Sequence, residues 1–252
     1  MLVTGAGRGI GRAIARGFAA EGAEVILVGR TREALDAVAA EIGSGADAVA
    51  CDVSSEGDVD GLAKYVAERY GWLHVLVNCA ALRMHHVGDP SAFRKPLPDV
   101  TPREWDAIVG TNLRGPYLLC RALAGVLRAA GGASVINVSA GAATSAEGGR
   151  APYAASKAGL EALTRTLAAE WRDVGIRVNT LVPDQRVLTE GHHVELRAPE
   201  ERARYVVPEA LVPPALYLAT SGVTGQRVEA LAWNEANGFG GWDRWEARPE
   251  RG

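Results

Sequence analysis

Short apolar runs alternate with longer amphipathic stretches along most of the chain. Leu2–Thr4, Glu24–Val28, Ala46–Ala50, Leu73–Val77, Ser134–Val138, Ile176–Leu181 and Arg227–Ala232 read as strands. The unbroken apolar run Val25–Val28 is what a strand covered on both faces requires. Helices are predicted from the turn after Thr4 to about Glu21, over Thr31–Ile42, and from a cap at Ser54 or Ser55 to about Tyr70. Thr101-Pro102-Arg103-Glu104 is a strong helix start, with Thr at the cap, Pro in the first turn and Glu three residues past the cap. Helix should dominate from there to Ala130, and again over Pro152–Asp173 and Pro208–Ala219. Strands alternating with helices at this spacing predict βαβ units and a parallel sheet covered on both faces. Arg83–Val100 is a long connection containing Pro90, Pro96 and Pro98, a length that usually carries function or mobility.

Composition narrows the class. The 252 residues hold 27 Lys+Arg against 30 Asp+Glu, a net charge of −3, which argues against a nucleic-acid binder. Hydrophobic residues make up 48% but aromatics only 6%, so the core must be mostly aliphatic. No apolar run approaches the roughly 18 residues needed to span a bilayer, and no secretory signal is evident, so a cytoplasmic location is expected. Cys51, Cys79 and Cys120 are odd in number and widely spaced, as expected of buried free thiols.

The segment Thr4-Gly5-Ala6-Gly7-Arg8-Gly9-Ile10-Gly11 follows a strand and opens a helix. Glycines there let backbone approach a pyrophosphate, and the helix N-terminus supplies N–H donors and positive dipole. The register fails GxGxxG, because counting from Gly5 lands on Ile10 and counting from Gly7 lands on Arg12. It also fails the P-loop pattern. What fits is Gly-x-x-x-Gly-x-Gly at Gly5, Gly9 and Gly11. A tight turn without a ligand would carry four glycines at a conformational cost, so ligand binding is favoured.

This loop resembles that of the short-chain dehydrogenase/reductase family, Thr-Gly-x-x-x-Gly-x-Gly. Tyr153-Ala154-Ala155-Ser156-Lys157 matches the family's Tyr-x-x-x-Lys. On a helix, positions i and i+4 share a face, so the Lys157 ammonium can sit beside the Tyr153 phenol and favour its ionised form. The resemblance places the catalytic Ser at Ser139, where its hydroxyl would bind the substrate carbonyl, and the catalytic Asn at Asn112, thought to hold a water. It implies a single-domain doubly wound Rossmann-type α/β fold with a parallel seven-stranded sheet over residues 1–252. It also implies hydride transfer between a nicotinamide and a carbonyl or secondary alcohol, with Tyr153 as acid/base.

The dinucleotide is read from the end of the second strand, Val28-Gly29-Arg30-Thr31. No carboxylate stands there for a ribose 2′-OH, and Arg30, with Arg8 as a second clamp, suits a 2′-phosphate. NADP is favoured and NAD is the alternative. Asp52-Val53 resembles the adenine-contacting pair, and Gly5, Gly9, Ile10, Gly11, Thr31, Asn78, Ala80, Tyr153, Lys157 and Pro183 complete the expected cofactor contacts. Asn78-Cys79-Ala80-Ala81 stands where the family has Asn-Asn-Ala-Gly, and Pro183-Asp184 replaces Pro-Gly, putting charge at a point of close approach. Met1 falls almost inside the first strand, so the native start is expected upstream.

His85, His86, His192 and His193 fall in the two segments without family pattern. Polar lining of a cleft mouth is favoured there over a metal site, and no metal is expected. Trp233, Phe239, Trp242 and Trp245 suggest a tail that packs, and residues 239–252 are expected on a neighbouring subunit of a homo-oligomer, a dimer or tetramer. The function expected is a 3-oxoacyl reductase-like or general short-chain alcohol dehydrogenase. The alternatives are an NAD-dependent sugar or polyol dehydrogenase and, from another class, a catalytically silent dinucleotide-binding sensor.

Overall fold

A computed structural model describes residues 1–88, 94–141, 147–190 and 205–247. Seven strands form one parallel sheet: β1 (Leu2–Thr4), β2 (Val25–Gly29), β3 (Ala46–Ala50), β4 (Val75–Asn78), β5 (Ser134–Val138), β6 (Arg177–Val182) and β7 (Arg227–Glu229). Their order is β3-β2-β1-β4-β5-β6-β7, with every pairing parallel. The order reverses between β1 and β4, and ligands of such sheets bind beyond the strand C-termini at that switch point.

Side chains alternate across the sheet with period two. Val3, Leu27, Val77, Ile136 and Leu181 face one core, where they meet Ile14 and Phe18 of helix α1 (Gly9–Ala20), Leu35 and Val38 of α2 (Arg32–Ile42) and Leu218 of α7 (Val212–Thr220). Leu2, Ile26, Leu76, Val135 and Val178 face the other core. There they meet Leu62 and Val66 of α3 (Glu56–Arg69) and Leu119, Leu123 and Leu127 of α5 (Gly115–Ala129). The helix starting at Thr101 forms as expected, α4 (Pro102–Val109), and its capping box is complete: Glu104 N donates to Thr101 Oγ at 3.2 Å, and Thr101 N donates to Glu104 Oε2 at 2.8 Å. A π-helical turn over Gly110–Arg114 interrupts the expected run to Ala130. Helix α6 spans Ala151–Glu170.

The C-terminal part departs from expectation at the last strand. The last strand stops at Glu229, and α8 (Ala230–Ala236) replaces its predicted end. The physical reason lies 47 residues away, because Asp184 Oδ1 accepts from Leu231 N at 2.9 Å and Asp184 Oδ2 accepts from Ala232 N at 3.1 Å, capping the new helix. The described tail also packs on its own chain. Trp233 stacks on Phe239, Trp242 and Trp245 of α9 (Trp242–Trp245) lie against the first core, and Ala247 N donates to Tyr205 O at 2.8 Å. Residues 248–252 of the expected intersubunit tail lie outside the described residues.

Candidate active site

The glycine loop turns from β1 into α1 at the switch point. Gly5 has φ +67°, and a Cβ there would come within 2.9 Å of Ala80 Cα. A Cβ on Gly11 would collide with the Gly5 carbonyl oxygen, so both positions demand glycine. Thr4 Oγ1 ties the loop to the end of β4 by accepting from Cys79 N at 3.0 Å and Ala80 N at 3.1 Å. Above these turns lies a cleft of about 410 Å³, within the usual range for small-molecule sites. Gly5, Arg8, Gly9, Ile10, Gly11, Arg30, Thr31, Asp52, Val53, Ala80, Tyr153, Lys157 and Pro183 all line it. Backbone N–H groups at a helix N-terminus, one of them held by Glu190 in this structure, are flanked by exposed Arg8 and Arg30 and suit a phosphate-bearing dinucleotide.

Tyr153 and Lys157 sit one turn apart on α6, both buried at the base of the cleft. The Lys157 ammonium lies 5.9 Å from the Tyr153 ring centroid and donates to Val138 O at 2.8 Å. Burial by itself would raise the Tyr153 pKa. The charges of Arg83 and Lys157, a hydrogen bond from Arg83 and the charge of Arg150 outweigh it and hold the phenol below its ordinary value. Burial lowers the Lys157 pKa, opposed by Tyr153, Cys79 and Glu161. A phenol whose ionised form is favoured in this way can give and take a proton.

Ser139 lines the same cleft, but its hydroxyl has a partner within the protein. Its backbone continues the β5 pairing, with Ser139 N donating to Leu181 O at 2.9 Å. Its hydroxyl donates to Glu161 Oε1 at 2.7 Å in a buried setting, and Glu161 is in turn paired with Arg227 at 3.2 Å. Strand alternation turns the next side chain, Ala140, to the opposite face. Ala140 is buried in one apolar cluster with Leu82, Met84, Ile108 and Tyr153. The Ser139 hydroxyl is thus engaged by a buried carboxylate in this structure, while Ser139 still lines the cleft with Tyr153 and Lys157.

Asn112 sits fully buried in the π-helical turn. Its Oδ1 accepts from Leu82 N at 2.7 Å, and its Nδ2 donates to Leu82 O at 2.9 Å and Ser156 Oγ at 3.1 Å. The side chain clamps the segment after β4 through both its oxygen and its nitrogen. Asn78 is corrected. Its Nδ2 donates to Asn137 Oδ1 at 2.8 Å between β4 and β5, and the residue is not part of the cleft wall.

Similarity to known proteins follows the same residues. The family model for short chain dehydrogenases matches residues 1–194. The chain belongs to the short-chain dehydrogenase family. It is 35% identical to a D-threitol dehydrogenase of Mycolicibacterium smegmatis over 230 residues, covering 87% of this chain and 85% of that protein. Among solved structures, a 3-ketoacyl-(acyl-carrier-protein) reductase from Brucella melitensis complexed with NADH superposes with TM-score 0.80 at 31% identity, over 90% of this chain and 94% of that one. A gluconate 5-dehydrogenase from Burkholderia cenocepacia in complex with NADP and tartrate gives TM-score 0.80 at 29% identity, over 90% and 91% of the two chains. Like its relatives, the protein is an oxidoreductase acting on a carbonyl–alcohol pair.

Several residues that shape this short-chain dehydrogenase's site escape a motif reading. Arg83 places its guanidinium carbon 5.6 Å from the Tyr153 ring centroid. Glu161, one turn beyond Lys157, takes the Ser139 bond; its i+4 spacing was the available signal. Glu190 Oε2 accepts from Gly9 N at 2.9 Å and Glu190 Oε1 pairs with Arg12 at 2.6 Å, so a carboxylate lies at the N-terminus of α1. Asp184 is no intruder on the cleft, since both its oxygens cap α8. Cys79 lines the cleft, but burial pushes its thiol up to about 12, as it does for Cys51 and Cys120, so all three stay protonated. His85 and His86 line the cleft with rings 4.0 Å apart, while His192 and His193 lie outside the described residues.

Proposed function

We propose that this protein is an NADP(H)-dependent dehydrogenase/reductase that interconverts a small secondary alcohol and its carbonyl. Residues 1–252 act as one dinucleotide-binding domain. The observation that carries the reading is the buried Tyr153–Lys157 pair at the base of a glycine-floored cleft. Gly5, Gly9, Ile10 and Gly11 would hold the pyrophosphate, Asp52, Val53 and Ala80 the adenosine end, and Tyr153, Lys157 and Pro183 the nicotinamide end. The nicotinamide, when bound, supplies or takes the hydride. Tyr153 gives its proton to the substrate oxygen during reduction and takes it back during oxidation. Lys157 keeps the resulting phenolate next to a positive charge.

Exposed Arg30 at the end of β2, with Arg8 across the cleft, supports NADP over NAD. Similarity to the threitol dehydrogenase supports the second reading, a polyol dehydrogenase. Retention of both Tyr153 and Lys157 argues against a silent dinucleotide sensor. A cytoplasmic homo-oligomer, dimer or tetramer, completes the proposal. Half-exposed Trp105 on α4 and Tyr117 on α5 support self-association.

The test is oxidation of NADPH and NADH against ketones, acyl thioesters, sugars and quinones, with Tyr153→Phe as the control. The variant should lose about 10²- to 10⁴-fold in turnover while binding NADPH as before. Unchanged turnover would refute the role of Tyr153.

A further inference from the structure

Hydride transfer to a carbonyl puts negative charge on its oxygen, and a second donor beside the acid/base stabilises that charge. Ser139 lines the cleft with its hydroxyl tied to Glu161, and the next side chain after β5, Ala140, which clusters with Tyr153, has no polar atom. Arg83 lies beside Tyr153. Its guanidinium lies over the Tyr153 ring at 5.6 Å, and it lines the same cleft as Thr111, Tyr153 and Lys157.

The backbone holds Arg83 firmly. Asn112 clamps both polar groups of the preceding residue, Leu82. On the following side Arg83 N donates to His86 Nδ1 at 3.0 Å across the 3-10 turn Met84–His86. The π-helical turn that carries Asn112 thus sets the position of Arg83, and Asn112 is a positioning residue for it.

We propose that Arg83 is a catalytic residue of this enzyme, its guanidinium donating to the substrate oxygen beside the Tyr153 hydroxyl in the role first expected of Ser139. The proposal rests on the carbonyl–alcohol reading of the same site. Arg83 transfers no proton and forms no bond; it stabilises charge on the substrate oxygen and on the phenolate. The guanidinium charge 5.6 Å from the Tyr153 ring, and the lowered pKa of that phenol, are consistent with this placement.

The experiment compares wild type, Arg83→Ala, Arg83→Gln and Ser139→Ala on the best carbonyl substrate and its alcohol. Arg83→Ala should lose about 10²- to 10³-fold in kcat, the usual cost of one oxyanion donor, with NADPH affinity retained. In alcohol oxidation, which needs the phenolate, its rising pH limb should move to higher pH because a cation beside Tyr153 is gone. Added guanidinium ion at low concentration should restore part of the Arg83→Ala rate, which a purely structural role would not allow. Arg83→Gln keeps the side-chain bulk and should show the same pH shift should the alanine variant fold poorly. Ser139→Ala should lose far less than Arg83→Ala. An active wild type with Arg83→Ala at full rate and an unmoved pH limb overturns the proposal by itself. A wild type that reduces no carbonyl overturns the functional reading and the proposal together.

Discussion

Glu190 sits on Gly9 at the N-terminus of α1, where we propose that the pyrophosphate binds. Its Oε2 accepts from Gly9 N at 2.9 Å, and its Oε1 pairs with Arg12 at 2.6 Å. Replacing it by Gln keeps the shape and an acceptor but removes the charge. A carboxylate at a helix N-terminus is worth about 0.3–1 kcal/mol, rising to about 2 where partly buried. The side chains of Arg12 and Glu190 are 37% and 33% exposed, so solvent screening holds their pair to about 0–1 kcal/mol. Together these contacts are worth about 1–2 kcal/mol, which a dinucleotide must displace before its phosphates reach the same N–H groups. Glu190→Gln should therefore tighten NADPH binding by about 5- to 30-fold. Titration calorimetry on wild type and variant reads this directly. The gain should shrink as salt rises, because the contact is half open to water. An unchanged or weaker affinity in Glu190→Gln would refute the idea that the carboxylate competes with the phosphates.

Three other outcomes follow from the same structure. Arg30→Ala should weaken NADPH binding by about tenfold, one charge-assisted contact, and leave NADH nearly untouched; equal losses for both would argue against a 2′-phosphate site. Asp184→Ala removes the cap of α8 and should cost about 1 kcal/mol, a fall of about 2–4 °C in Tm by differential scanning, with little change in NADPH affinity. Glu104 is bound by Lys95 Nζ at 2.8 Å through both oxygens and by Thr101, which holds its carboxyl down to about 2. Its folded pKa lies below the unfolded one, so its stabilisation is present above about pH 4.5 and is lost as pH falls toward 2. The Tm of wild type should converge on that of Glu104→Gln across that window, and parallel curves would count against it.

What could be read from the chain follows the range of the interaction. The Gly5-to-Gly11 loop, the capping box at Thr101–Glu104 and the i,i+4 pair Tyr153–Lys157 depend on neighbours within one or two turns. Each formed as expected. Strand alternation placed Ser139 against Glu161, because the direction of a side chain at a strand end depends on how that strand sits in the sheet, and a motif does not carry that. Asn78 looked like a cofactor contact by motif, but the sheet turned it toward Asn137. Arg83, in a segment without family pattern, had no local signal at all. Its meaning comes from Tyr153, which is 70 residues later in the chain.

By itself the sequence determined the alternation of strands and helices, the glycine turn and the one-turn spacing of Tyr153 and Lys157, because backbone propensity, hydrophobic period and helical spacing are local. Tertiary structure decided the rest. It turned Asp184 into a helix cap, brought Glu190 onto Gly9 across 181 residues, buried Ser139 against Glu161 and set Arg83 over Tyr153. Each of these is a charge or hydrogen bond between distant segments, and its partner exists only after the parallel sheet has closed and ordered them.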